Sequence, residues 1–145
     1  MATESLAYSA AALSISYLGV ALTGLAEGDA VVTVSPTNEQ ASLTVGIQGD
    51  TGIALSADNS ATITIEFLQG SESCEFLQAK LNAQKIGAVV SGALSIRDAN
   101  SGTNIIGNRA FINTQPEITR GAAYGTMTWS FVTPDLVVDY KAETI

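Results

Sequence analysis

Residues 61–67, ATITIEF, alternate without a break. Ala61, Ile63, Ile65 and Phe67 fall on one side of an extended strand, and Thr62, Thr64 and Glu66 fall on the other. Residues 126–131 repeat the pattern, with Met127, Trp129 and Phe131 set against Thr126, Thr128 and Ser130. A period of two commits both segments to a sheet with one face packed, because a one-residue slip would carry every apolar side chain to the polar side. The core is therefore predicted to hold Ile63, Ile65, Phe67, Trp129 and Phe131. The Thr/Thr/Glu side faces either bulk water or something that needs a uniform polar wall.

The rest of the chain follows the same period with one exception. Ser14 to Leu18 and Val20 to Leu22 predict a strand or tight hairpin about Gly19, and residues 29–34, 42–47 and 53–55 predict further short strands. Pro36 and Asn38 within SPTNEQ mark a loop or hairpin tip, and GIQGDTG at 46–52 marks a second turn. Past residue 70 the period changes. Ser71 is a candidate N-cap, Glu72 and Glu75 suit the positive end of a helix, Lys80 and Lys85 suit the other end, and Gly87 stops it. Cys74, Leu77 and Leu81 share one face of that helix, so Leu77 and Leu81 join the predicted core. Leu94 and Ile96, then Ile105, Ile106 and Phe111, flank RDANSGTN as two arms of a hairpin, and residues 136–140 end the sheet. These patterns predict a mainly β chain: an antiparallel β-sandwich or barrel-like domain with one packed α-helix over about residues 71–84. At 145 residues, one domain spanning 1–145 is expected.

Composition removes many functions. There is no histidine and one cysteine, Cys74, which excludes Ser/His/Asp and Cys/His triads, an intrachain disulfide and Cys-rich metal sites. No phosphate-cradling glycine loop occurs, and no cofactor or metal is expected. A glycosidase-like carboxylate pair is left open by the acids. DANSGTN at 98–104 resembles a calcium loop only through Asp98 and Asn100; its glycine comes one place early and no Glu closes it, which favours a hairpin turn. Trp129, Phe131 and Met127 can be read as core or as a stacking platform for sugars or bases, and the alternation favours core. The apolar stretch LAYSAAALSISYLGVALTGLA lacks a basic leader and alternates, so it is expected to be a strand and not an export signal, and no membrane segment is expected.

Charge is unevenly placed. The net charge is -8, yet residues 1–79 hold nine acids and no Lys or Arg, while residues 80–145 hold six bases and five acids. A surface built from the first half repels polyanions, which argues against ordinary nucleic-acid binding through Lys and Arg. A charged fraction of 14% is low for an exposed monomer and leaves room for surface covered by partners. Few edge charges or prolines defend the Thr-rich strands against pairing with another chain.

The order of several segments resembles the tail tube proteins of contractile-tailed bacteriophages. These segments are SYLGVALTGLAEGDAVVTV, then VGIQGDTG from Val45 to Gly52, then SATITIEFLQGSESCEFLQ from Ser60 to Gln78. LSIRDANSGTNIIGNRAFINTQPEI and TMTWSFVTPDL complete the series. The resemblance implies a tail-tube fold and hexameric rings that stack into a tube conducting DNA. It implies as partners other copies of the chain, a tail sheath protein, baseplate and tail terminator proteins, and a tape measure protein followed by DNA in the lumen. It places the protein in the virion tail, assembled in the host bacterial cytoplasm. If each of about six subunits gives about four strands, about 24 strands spaced ~4.8 Å and tilted ~40° make a ring of ~150 Å circumference and ~48 Å diameter. Asp29, Thr33, Ser42, Thr44, Thr62, Thr64 and Glu66 are then expected to line the channel. Pro36, Thr37, Asn38 and Glu39 are expected to meet the next ring. The tube of a tailocin or type VI secretion-like machine, and a monomeric carbohydrate-binding β-sandwich, are the alternatives.

Overall fold

A computed structural model describes residues 13–26, 31–88 and 90–142. The strands are β1 (Leu13–Tyr17), β2 (Val20–Leu22), β3 (Val32–Pro36), β4 (Ala41–Val45), β5 (Thr51–Leu55) and β6 (Ala61–Leu68). After helix α1 (Glu72–Lys85) come β7 (Gly92–Asp98), β8 (Thr103–Ile112), β9 (Thr126–Thr133) and β10 (Leu136–Asp139). The principal sheet runs β2-β1-β7-β8-β9-β6-β3 with β10 also on β8, and among the described residues β4 and β5 pair only with each other. All of these pairings are antiparallel.

The principal sheet folds over itself because β8 serves two layers. Its residues 103–107 and Ala110 pair with β7, while Phe111 and Ile112 pair with Val132 and Phe131 of β9. The register with β7 shifts between Leu94, opposite Gly107, and Gly92, opposite Ala110, just before that change of partner, which is how a strand bends. Gly107 marks a tight approach, since a Cβ there would come within 3.0 Å of Thr133. The layers face each other closely enough that the rings of Tyr17 on β1 and Phe131 on β9 meet edge-on, with centroids 5.1 Å apart. Ile15, Ile63, Ile65, Phe67, Leu94, Ile96, Ile112, Trp129 and Phe131 share one buried cluster with Leu77 and Leu81 of α1. Each fully buried side chain of this kind contributes ~1.5–3 kcal/mol.

Helix α1 begins and ends where its caps dictate. The Ser71 hydroxyl accepts a hydrogen bond from the Cys74 N–H at 3.3 Å, and Glu72 and Glu75 occupy the first turn. At the far end Gly87 takes φ 94°, and the N–H groups of Gly87 and Ala88 donate to the carbonyls of Gln84 and Ala83. Ser73 ties the helix start to the segment after β2, accepting from the Thr23 N–H and donating to the Thr23 carbonyl.

Several sequence boundaries shift. Of the strand expected at 29–34, residues 29 and 30 lie outside the described residues and 32–34 open β3 at Val32–Pro36, so Pro36 belongs to a strand; its missing N–H is tolerated because, among the described residues, β3 pairs with β6 alone. Residues 98–102 form the β7–β8 turn, where the Asp98 carboxylate accepts from the Asn100 N–H and Gly102 has φ 79°. Trp129 and Phe131 are fully buried, so the sugar- or base-stacking platform considered for them does not exist.

Tyr17 offers a test of the core. Its hydroxyl donates to the Ala110 carbonyl at 2.9 Å, and burial pushes its pKa up to about 12. The folded state therefore favours neutral tyrosine. That preference is fully present below the ordinary value of 10.0 and is lost as pH rises from there through about 12. Tyr17→Phe is expected to lower stability by ~1 kcal/mol at neutral pH and to flatten the loss of stability between those two values. Denaturant titrations of both proteins across the alkaline range measure this.

Candidate assembly surface

Residues 32–68 form one long two-stranded ribbon with a bend in the middle. Its proximal half, β3 with β6, lies in the principal sheet, and its distal half, β4 with β5, leaves the sheet as an arm. Backbone hydrogen bonds from Thr37 to Ser60 and from Ser56 to Gln40 carry the pairing into and out of the bend. Asp58 holds the bend together. Its carboxylate accepts from the Asn38 amide and from the Ser60 N–H, and its carbonyl accepts from the Gln40 amide. Hydrogen bonds from the Ser60 side chain, then from Asn38, then from the Ser60 backbone lower the Asp58 pKa from 3.8 to about 2.

The clasp therefore strengthens above the ordinary carboxylate value and is lost as pH falls from there through about 2. Asp58→Ala is expected to speed amide hydrogen exchange at Thr37, Ser56 and Ser60 while leaving the core amides of β6 and β9 protected. Exchange measured by NMR at neutral pH and again near pH ~3 checks both the site and the sign.

Two surfaces result. The first is the outward face of β3, β6 and β9. Register places Thr64 between Thr33 and Ser130, Thr62 between Ser35 and Val132, and Glu66 beside Thr128. Thr33 and Ser35 are exposed, and Thr62, Thr64 and Glu66 are half-buried by their neighbours. The Thr126 hydroxyl donates to Glu66 at 3.4 Å. Apart from Val132 and Leu68, the face across these three strands carries hydroxyls and one carboxylate and no base.

The second surface is the arm. Register puts Leu43 opposite Ile53, Ala41 opposite Leu55 and Val45 opposite Thr51 on one side, with Ser42, Ala54, Thr44 and Gly52 on the other. Every residue from 36 to 57 is exposed, with Leu43 at 64%, Ile53 at 71% and Leu55 at 82%. The tip Ile47 is fully exposed. An apolar face of this extent has no layer of its own chain over it among the described residues, which marks it for another surface.

The expected channel residues divide accordingly. Thr33, Thr62, Thr64 and Glu66 are brought onto one face, and Asp29 lies outside the described residues. Ser42 and Thr44 do not stand on strands beside β6, whose neighbours are β3 and β9; the clasp at Asp58 turns β4 out of the sheet. Nor is SPTNEQ the hairpin tip. Pro36 closes β3 and Thr37, Asn38 and Glu39 form the bend, while the projecting turn is at residues 46–50. Sequence reasoning overlooked Ser35 on this face, although its register with Thr62 continues the same alternation. It also overlooked the arm's apolar row, since LTV and IAL look like core strands until the missing layer is seen. Among the described residues no cluster of three or more His, Cys, Asp or Glu is arranged for a metal.

A family profile for the bacteriophage PhiTE tail tube protein matches residues 1–139. The chain belongs to that tail tube family. It is thus a structural component of a phage tail and not an enzyme. A search of curated proteins finds no match to the sequence. Among solved structures, the chain is similar to one from a cryo-EM study titled as an extracellular contractile injection system, PVC sheath/tube terminator in extended state. The TM-score is 0.69 at 10% identity, covering 94% of this chain and 99% of that one. At that identity the likeness speaks to the fold, and it confirms a tail-tube-like architecture of antiparallel sheet with one helix.

Proposed function

We propose that this tail tube family member is the repeating subunit of hexameric rings that stack into the inner tube of a contractile tail. In this reading the whole chain acts as one domain, and the outward face of β3, β6 and β9 lines the lumen. The observation that carries it is that face: Thr33, Thr62, Thr64, Thr128 and Ser130 around Glu66, without a Lys or Arg. Hydroxyls hold a water layer and the carboxylate repels phosphates, so DNA passes without the counterion release that makes it bind. The arm adds Ser42 and Thr44 to the lining when its apolar side is turned outward. With the end of β8, four strands share this layer, the number for which a six-fold ring reaches ~48 Å across.

Around this tube the partners are a sheath outside, baseplate and terminator proteins at the ends, and a tape measure protein and then DNA within. Pro36, Thr37, Asn38 and Glu39, exposed at the bend, face the next ring. Assembly takes place in the host bacterial cytoplasm. Phage particles carrying Thr62→Lys with Glu66→Lys are expected to assemble tails of normal length and to eject their genome more slowly, with the delay shrinking as salt rises. Ejection at the parental rate from intact tails would overturn the lumen assignment.

A further inference from the structure

We infer that the arm of one subunit seats its apolar side on the opposite end of the sheet in a second copy, over Phe111 and the groove beside it. This rests on the ring reading above and names the surface that reading leaves open.

The argument starts from the ends of the layer. One end is β3, hydrogen-bonded among the described residues only to β6. The other is the last stretch of β8, where pairing with β7 stops at Ala110 and, among the described residues, Phe111 and Ile112 keep only β9 as a partner. A head-to-tail ring joins unlike surfaces, so the two ends of one layer are where complementary parts belong. The outward face is polar along β3, β6 and most of β9, but at this end register brings Val132 and Phe111 side by side. Phe111 is 38% exposed. Beside it lies an open groove of about 380 Å³ lined by Ala88, Val90, Phe111 and Pro134, with Gln84 and Arg109 at its polar margin.

The groove has room for aliphatic side chains, and the arm supplies Leu43, Ile53 and Leu55 with no charge between them. Laid over Phe111, the arm hides the apolar break in the polar face and leaves Ser42 and Thr44 looking into the same space as Thr62 and Thr64. Charge points the same way. The ribbon's bend and tip carry Glu39, Asp50 and Asp58 and no base, whereas this end carries Lys85 and Arg109, the latter paired with Asp135. A competing apolar surface is β10, with Val137 and Val138 about half exposed, and it pairs with the other end of β8, opposite residues 104–107.

Cysteine pairing between two proteins tests the assignment. With Cys74→Ser as background, one protein carries Ile53→Cys and the other Phe111→Cys or, for comparison, Val137→Cys. The proteins are mixed, allowed to polymerise and oxidised with copper–phenanthroline. A disulfide-linked dimer is expected from Ile53→Cys with Phe111→Cys. Tubes that form normally but link through Val137→Cys and not Phe111→Cys would overturn this acceptor and leave the ring reading standing. If no rings or tubes form and neither pair links, both are overturned. A second measurement uses Phe111→Asp, an exposed position. Folded protein whose polymer yield falls roughly ten-fold or more supports the contact, and folded protein that polymerises as the parent does overturns it.

Discussion

Protein carrying Leu43→Asp with Ile53→Asp is expected to stay folded and monomeric under conditions in which the parent forms tubes. Both positions lie on the arm, exposed in the single chain, and neither touches the buried cluster, so unfolding is expected within about 0.5 kcal/mol of the parent. In an assembled wall the two side chains are expected to be covered. Each aliphatic residue buried there contributes ~1.5–3 kcal/mol, and an unpaired carboxylate in its place adds a desolvation penalty. Repeated at every subunit contact, a loss of that size leaves no polymer. Negative-stain microscopy and sedimentation velocity report assembly, and a melting curve confirms that the fold is intact. Normal tubes from this protein would show that the arm is not an assembly surface.

The second large effect is on stability. Trp129→Ala is expected to cost about 3–5 kcal/mol, from lost transfer energy and the cavity left at the centre of β9. Total stability of a domain this size is ~5–15 kcal/mol, so the variant is expected to melt far below the parent or to accumulate unfolded at 37 °C. Trp129→Phe is expected to be much milder. The indole Nε1 is buried without a hydrogen-bond partner among the described residues, so replacing it removes a polar atom that gains nothing from its surroundings. A Trp129→Phe loss as large as that of Trp129→Ala, in denaturant titrations, would mean that the indole N–H is satisfied in the folded protein.

The two ends of the ribbon differ in how legible they were. In β6 and β9 Ile63, Ile65, Phe67, Met127, Trp129 and Phe131 recur at every second position against mostly Thr and Ser, so the buried face could be read directly. Ser71, Glu72 and Gly87 bounded α1 because caps are local chemistry, needing only neighbours in the chain. Residues 41–55 carry the same alternation as β6, and alternation alone says that a face is covered without saying by which chain. That is why the arm's lack of a covering layer could not be read from the sequence. The bend itself is made by Asp58 reaching Asn38 and Gln40 across the ribbon, a contact between residues about 20 apart. Local turn chemistry in SPTNEQ could not distinguish it from a hairpin tip. The change of partners along β8 was equally hidden, since only its register with β7 and β9 reveals it.

That shared strand has a mechanical consequence. Because residues 103–107 and 111–112 of one continuous polypeptide are stitched into different layers, a force that tries to slide one layer across the other pulls on covalent backbone. Shearing must strip the ladder hydrogen bonds of β8 before the greasy interior can slip, which makes the subunit stiffest along the direction in which its two halves would otherwise part.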